Sequence, residues 1–152
     1  MDKPIRELDN RTDLATRQML QGVVKRKQKF DRFKTRHLIV MWLAVGVTAV
    51  FLHRLYTTII KPYSYSVYDM FSNFVGQETN LYFLVAVGGL FGLMNLLKEK
   101  REKAEKEFHA LRCETIDKSK DLWKKEDEWK NRHLVYETMK KHYDINLYHE
   151  NK

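Results

Sequence analysis

The stretch Leu81–Leu97, LYFLVAVGGLFGLMNLL, runs seventeen residues without a charge and decides how the rest of the chain is read. A second apolar run, Leu38–Ile60, precedes it, and densely charged sequence flanks the pair. Twenty-three residues make a helix of about 34 Å, enough to cross a hydrocarbon core of roughly 30 Å. The expected architecture is therefore all-α: two transmembrane helices forming a hairpin, preceded by a cytosolic amphipathic helix and followed by a long cytosolic helix. The expected boundaries are 1–37 for the basic amphipathic helix, 38–60 for the first span and 61–80 for an external aromatic loop. The second span is 81–97, and 98–152 is a charged helical tail. Averaged over 152 residues the composition looks soluble, because two apolar runs are averaged with charged arms.

The net charge of +8 is unevenly spread. Residues 1–37 hold 11 Lys+Arg against 5 Asp+Glu, whereas residues 61–80 hold Lys61 against Asp69 and Glu78. Positive residues near span ends stay on the cytosolic side. Lys25, Arg26, Lys27, Lys29, Arg32, Lys34 and Arg36 precede the first span, and Lys98, Lys100 and Arg101 follow the second. Both termini are thus expected inside, in a multi-pass protein of the cell membrane. The segment Thr12–Arg36 reads as a helix with Thr12 or Asn10 as N-cap and a basic face suited to anionic lipid headgroups. Met1–Asn10 lacks the apolar core of a cleavable signal.

Within the first span, Trp42 and the trio Tyr56, Tyr63 and Tyr65 suit the two interfaces. Arg54 falls short of the far boundary, and helical side chains lean back toward the N-terminus, which here means into the membrane. Asp69 and Glu78 are its available partners. Pro62 ends the span, and a short interfacial helix is expected around Ser66–Phe74 in the loop KPYSYSVYDMFSNFVGQETN. In the second span Gly88 and Gly92 form GxxxG on one stripe with Leu81, Val85 and Asn95, the spacing that lets backbones approach closely. Gly46, Ala49 and His53 make a comparable stripe on the first. The two stripes are expected to pack together, within one chain or between copies.

The tail from Lys98 contains no Gly or Pro. Glu99–Lys103 and Glu102–Lys106 are helix-supporting i,i+4 pairs. Phe108, Thr115, Leu122, Trp129, Tyr136 and Tyr143 recur every seven residues, as in a coiled-coil seam. The companion positions, Ala104, Leu111, Lys118, Lys125, Arg132 and Met139, make a poor second row. One long helix with a half-formed seam is expected, packing on the basic N-terminal helix or on another copy, with Phe108, Leu111, Leu122, Trp129, Tyr136 and Tyr143 as interface residues.

No catalytic chemistry emerges. There is no HExxH, CxxC pair, P-loop or dinucleotide fingerprint. The single cysteine, Cys113, excludes an internal disulfide, and His109 with Cys113 makes only half a metal site. No cofactor is implied. The layout, with RKQKFDRFK (26–34) before the first span, an aromatic loop, a Gly-containing second span and LWKKEDEW (122–129) in the tail, resembles the YpbF-like family of small bacterial membrane proteins. That resemblance implies a two-span membrane protein and carries over no catalytic residues. Two functions compete. The first is a non-enzymatic adaptor or scaffold that self-associates or recruits a cytosolic protein through its helices. The second is an oligomeric channel or pore, opposed by spans that lack a polar stripe. A nucleic-acid partner is disfavoured, because acidic residues nearly balance the tail's charge.

Overall fold

Every regular element in the computed structural model, which describes residues 2–8 and 12–148, is helical, with no strand among the described residues. The order is α1 (Lys3–Arg6), α2 (Leu14–Leu55), a π-helical turn (Tyr56–Ile60), α3 (Val67–Gly76), α4 (Glu78–Asp117), α5 (Ser119–Leu122) and α6 (Glu126–Tyr143). The chain divides into two units, one formed by residues 34–100 and the other by residues 1–33 with 101–152.

In the 34–100 unit, α2 and α4 are long and apolar enough to cross a membrane. The helix α2 gives way at the sequence TTII, just before Pro62. Pro62 offers no N–H to continue the α-helical ladder, while the Thr57 and Thr58 hydroxyls both donate to the Arg54 carbonyl, at 3.1 and 2.8 Å. The backbone relaxes into i→i+5 bonding, Lys61 N–H donating to Tyr56 O. Ser66 then caps α3, its hydroxyl accepting from the Asp69 N–H at 3.2 Å. The expected loop helix at Ser66–Phe74 is therefore present, two residues longer at its C-terminal end.

The two apolar helices meet through large side chains. Phe51 stacks on Phe83 with centroids 5.5 Å apart, and His37, Ala44, Ile59 and Leu97 are withdrawn from the surface. Half-buried or buried residues on α4 fall at Asn80, Phe83, Val87, Leu90, Met94 and Leu97, alternating threes and fours as in a heptad seam.

The other unit has a core of Ile5, Leu8, Leu20, Val23, Val24, Phe108, Trp123, Val135, Tyr136, Met139, Ile145 and Leu147. The helix α4 ends at Asp117 without Gly or Pro. Asp117, Ser119 and Asp121 are poor helix formers that compete for backbone bonds. The turn they allow returns α6 onto the core and buries Trp123. Thr16 secures it by donating to the Leu122 carbonyl at 3.0 Å. The helix α6 ends at Asp144, in a left-handed conformation (φ 55°), with Ile145 N–H reaching Met139 O. The tail is thus two long helical pieces and a turn, which corrects the expectation of one continuous helix.

The cap of α2 is likewise reassigned. Asp13 accepts the Thr16 N–H at 2.7 Å, whereas the Thr12 hydroxyl is buried without a partner. Asn10 lies outside the described residues. The bonds from Thr16 hold the Asp13 carboxyl below its usual range, with Lys125 and Lys124 adding to the effect.

Candidate functional site

The small-residue stripes expected to join the two apolar helices point elsewhere. A Cβ added at Gly46, Gly88 or Gly92 would meet nothing within 4 Å, and Ala49, His53 and Asn95 are exposed. Within the chain the seam belongs to Phe51, Phe83 and Leu97 instead, because larger side chains bury more apolar area than glycine faces do. The glycine faces stay open.

Arg54 behaves differently from its expected pairing. No ion pair links it to Asp69 or Glu78, and its Nε–H is buried without an acceptor. Asn80 is fully buried. Its amide nitrogen donates to Phe74 O at 3.2 Å, and its Oδ1 has no donor. Both residues lie three positions outward from the stacked Phe51–Phe83 pair, on helices that run in opposite directions. Each helix thus buries one unsatisfied polar atom near the end that leads to the connecting loop. Beside them, Leu55, Ile59, Ile60, Val67, Met70, Phe71 and Phe74 line an apolar groove of about 280 Å³.

Several of the basic residues assigned to lipid headgroups make contacts within the protein. Glu107 is bracketed by Lys29 at 3.0 Å and Arg26 at 3.5 Å. The hydrogen bond from Lys29, with the charges of Lys29, Arg26 and Lys103, holds the Glu107 carboxyl below its usual range. Lys27 lies 3.1 Å from Asp31 and 3.9 Å from Asp144, and its ammonium stands over the rings of Phe30 and Phe108. Arg101 is half-buried. Lys25, Arg32, Lys34, Arg36, Lys98 and Lys100 remain exposed.

The residues expected to form a tail interface are brought together, though as this unit's own core. Phe108 and Tyr136 are buried, and Leu111, Leu122, Trp129 and Tyr143 pack against them. Phe30 stacks on Phe108 at 6.5 Å, so the tail does pack on the basic N-terminal helix. The heptad spacing reported burial correctly and missed the turn after Asp117.

Beside that core lies a pocket that sequence reasoning missed. Ile116, Ser119, Trp129, Lys130, Arg132, His133, Tyr136, Leu147 and Tyr148 line a half-open concavity of about 360 Å³. The Arg132 guanidinium lies 3.7 Å from the centre of the Trp129 ring and donates to Trp129 O at 2.9 Å. His133 Nδ1 sits 3.0 Å from Lys130 O, and Tyr148 donates its hydroxyl to His133 O at 3.2 Å. Burial pushes the Tyr136 phenol above its ordinary value, opposed by the nearby Arg132 charge and a hydrogen bond with Ser119. Lys130, Arg132 and His133 span a single helical turn, and the hydroxyls come from α5, α6 and the C-terminal segment. No motif spacing in the sequence could have joined them. No group of three or more His, Cys, Asp or Glu residues suited to a metal ion occurs among the described residues.

Comparison with known proteins bears on the whole chain. The family described as "Protein of unknown function (DUF2663)" matches residues 19–150. "Uncharacterized protein YpbF" of Bacillus subtilis (strain 168) is 37% identical over 149 residues, covering 96% of each chain. No solved structure matches. With a match from residue 19 to 150 and a relative of this identity across nearly the full length, the chain belongs to the DUF2663 family of YpbF-like proteins.

Proposed function

We propose that this is a two-span protein of the bacterial cell membrane, both termini cytosolic, in which the 34–100 unit is the anchor. The helical unit built from the two ends serves as a non-enzymatic adaptor. One observation carries the membrane reading. In the most apolar stretches of α2 and α4 only 11% and 6% of residues are buried. A soluble protein's core helix buries its apolar surface; here Ile39, Trp42, Val50, Tyr82, Leu84 and Val85 all stand exposed. At about 25 cal/mol per Å² of apolar surface, leaving both helices in water is untenable. Lipid is the medium that covers such helices all round. The exposed Lys25, Arg32, Arg36, Lys98 and Lys100 favour the cytosolic side and contact with anionic headgroups.

The adaptor reading draws on the folded terminal unit. Its aromatic seam is spent on its own core, so partners must use its outer surface rather than the Leu122–Trp129 row. Self-association has a separate surface in the open glycine faces of the spans.

Cysteine accessibility tests the threading. In a Cys113→Ser background, a Ser66→Cys thiol should react with an impermeant maleimide added outside intact cells. Reaction only after the cytosolic side is opened would overturn the topology, and recovery of the chain in the soluble fraction would overturn the membrane reading. Crosslinking with mass spectrometry in native membranes then tests the adaptor role. A chain that links to neither a second copy nor a cytosolic protein would refute it.

A further inference from the structure

We propose that the pocket beside Trp129 is a binding site for a mononucleotide, a planar heterocycle carrying a phosphate. Among the described residues its lining holds Lys130, Arg132 and His133 and no carboxylate. Such a wall is complementary to an anion. Arg132 is held in place, its guanidinium 3.7 Å from the centre of the Trp129 ring, one N–H committed to Trp129 O and another shared with the Tyr136 hydroxyl. A guanidinium has five donors in a fixed fork, so the remainder can engage phosphate oxygens with little loss of side-chain freedom. Lys130 is tied at 3.0 Å to Glu126, but both side chains are well exposed. Such a pair is weak, and a phosphate can displace the carboxylate.

The rest of the lining suits a flat ring. Trp129, Tyr136 and Tyr148 supply aromatic surface, Ile116 and Leu147 apolar contact, and Ser119 a hydroxyl. With Nδ1–H donating to Lys130 O, His133 leaves its Nε2 to meet a polar group on the ring. A volume of about 360 Å³ falls within the range of small-molecule sites. A single-ring carboxylate would leave much of it empty, and inorganic phosphate would leave the aromatic walls unused.

The test uses the full chain in lipid nanodiscs, titrated with AMP, adenosine and inorganic phosphate by calorimetry and tryptophan fluorescence. AMP should bind, with adenosine and phosphate each at least tenfold weaker, because each lacks half of the recognised chemistry. Arg132→Gln should weaken AMP at least tenfold. Lys130→Gln, an exposed change that leaves the core intact, should weaken it severalfold and flatten the salt dependence. Binding of phosphate as tight as AMP would reduce the pocket to a nonspecific anion patch and overturn the proposal. Absence of AMP binding at millimolar concentration would do the same, as would undiminished affinity in Lys130→Gln and a folded Arg132→Gln.

Discussion

Trp123 offers two substitutions whose outcomes separate packing from hydrogen bonding. Its side chain is 1% exposed and meets Tyr136 edge-on at 5.6 Å, while its indole N–H is buried without an acceptor. Trp123→Ala deletes the largest fully buried side chain of the unit, costing about 3–5 kcal/mol. That is a large share of the roughly 5–15 kcal/mol that a domain has. Trp123→Phe keeps an aromatic ring at the site. It forfeits on the order of 1.5–2.5 kcal/mol of burial and void. Against this it removes an unsatisfied donor worth about 1–3 kcal/mol. The two nearly cancel, leaving a net change within about 1 kcal/mol. Amide hydrogen exchange along α6 reads both, since local protection reports the opening free energy. Trp123→Ala should accelerate exchange at Val135 and Met139 about a hundredfold or more, and Trp123→Phe less than about tenfold. If Phe proves as damaging as Ala, the indole N–H has a partner and the reasoning fails. Unchanged exchange in Trp123→Ala would mean that α6 does not rest on this core.

Other substitutions probe separate features. Gly22→Ala should stabilise the terminal unit by about 0.5–1 kcal/mol, because the new methyl meets Leu111 at an ordinary 3.5 Å; a lower melting temperature would refute this. Asp13→Ala should cost about 0.5–2 kcal/mol through loss of the α2 cap. Because folding lowers the Asp13 pKa, its contribution is full above the unfolded carboxylate's titration and disappears as pH falls through the lower folded value. The mutant and parent melting curves should therefore converge only in strong acid. Asn80→Leu should lower the thermal stability of the detergent-solubilised protein, because the Phe74 carbonyl loses the amide donor that meets it at 3.2 Å; an unchanged melting temperature would show that this bond contributes nothing. Glu107→Lys places a third cation beside Lys29 and Arg26 and should destabilise the terminal unit, most at low salt.

The parts legible in the sequence were those governed by local physics. Two apolar runs gave the two apolar helices, the aromatic segment Ser66–Phe74 gave α3, and Pro62 gave the stop before it. Periodicity was less informative, because it reports which residues are buried and not what buries them. The row from Phe108 to Tyr143 fits a coiled coil or a helix that turns back on itself. Only the energetic gain of enclosing Trp123, Val135 and Met139 chooses between them. Within one chain the glycine stripes do not form the seam, for a related reason: small residues permit close approach, but bulky ones at Phe51, Phe83 and Leu97 supply more contact. The pocket depends on side chains from three segments set by tertiary structure, beyond the reach of spacing rules.

The core that unites Ile5, Leu20 and Val24 with Val135, Met139, Ile145 and Leu147 draws on both ends of the chain. That imposes an order on biosynthesis. At about 5–20 residues per second the ribosome needs several seconds to make everything between Val24 and Met139. During that interval the first amphipathic segment exists without its partners, while both apolar runs emerge. Its unpaired Leu20, Val23 and Val24 face, set among lysines and arginines, is suited to rest on an anionic bilayer until the last turn of α6 leaves the tunnel. A chain truncated before residue 135 would keep that face exposed indefinitely and should be a preferred substrate for quality-control proteolysis.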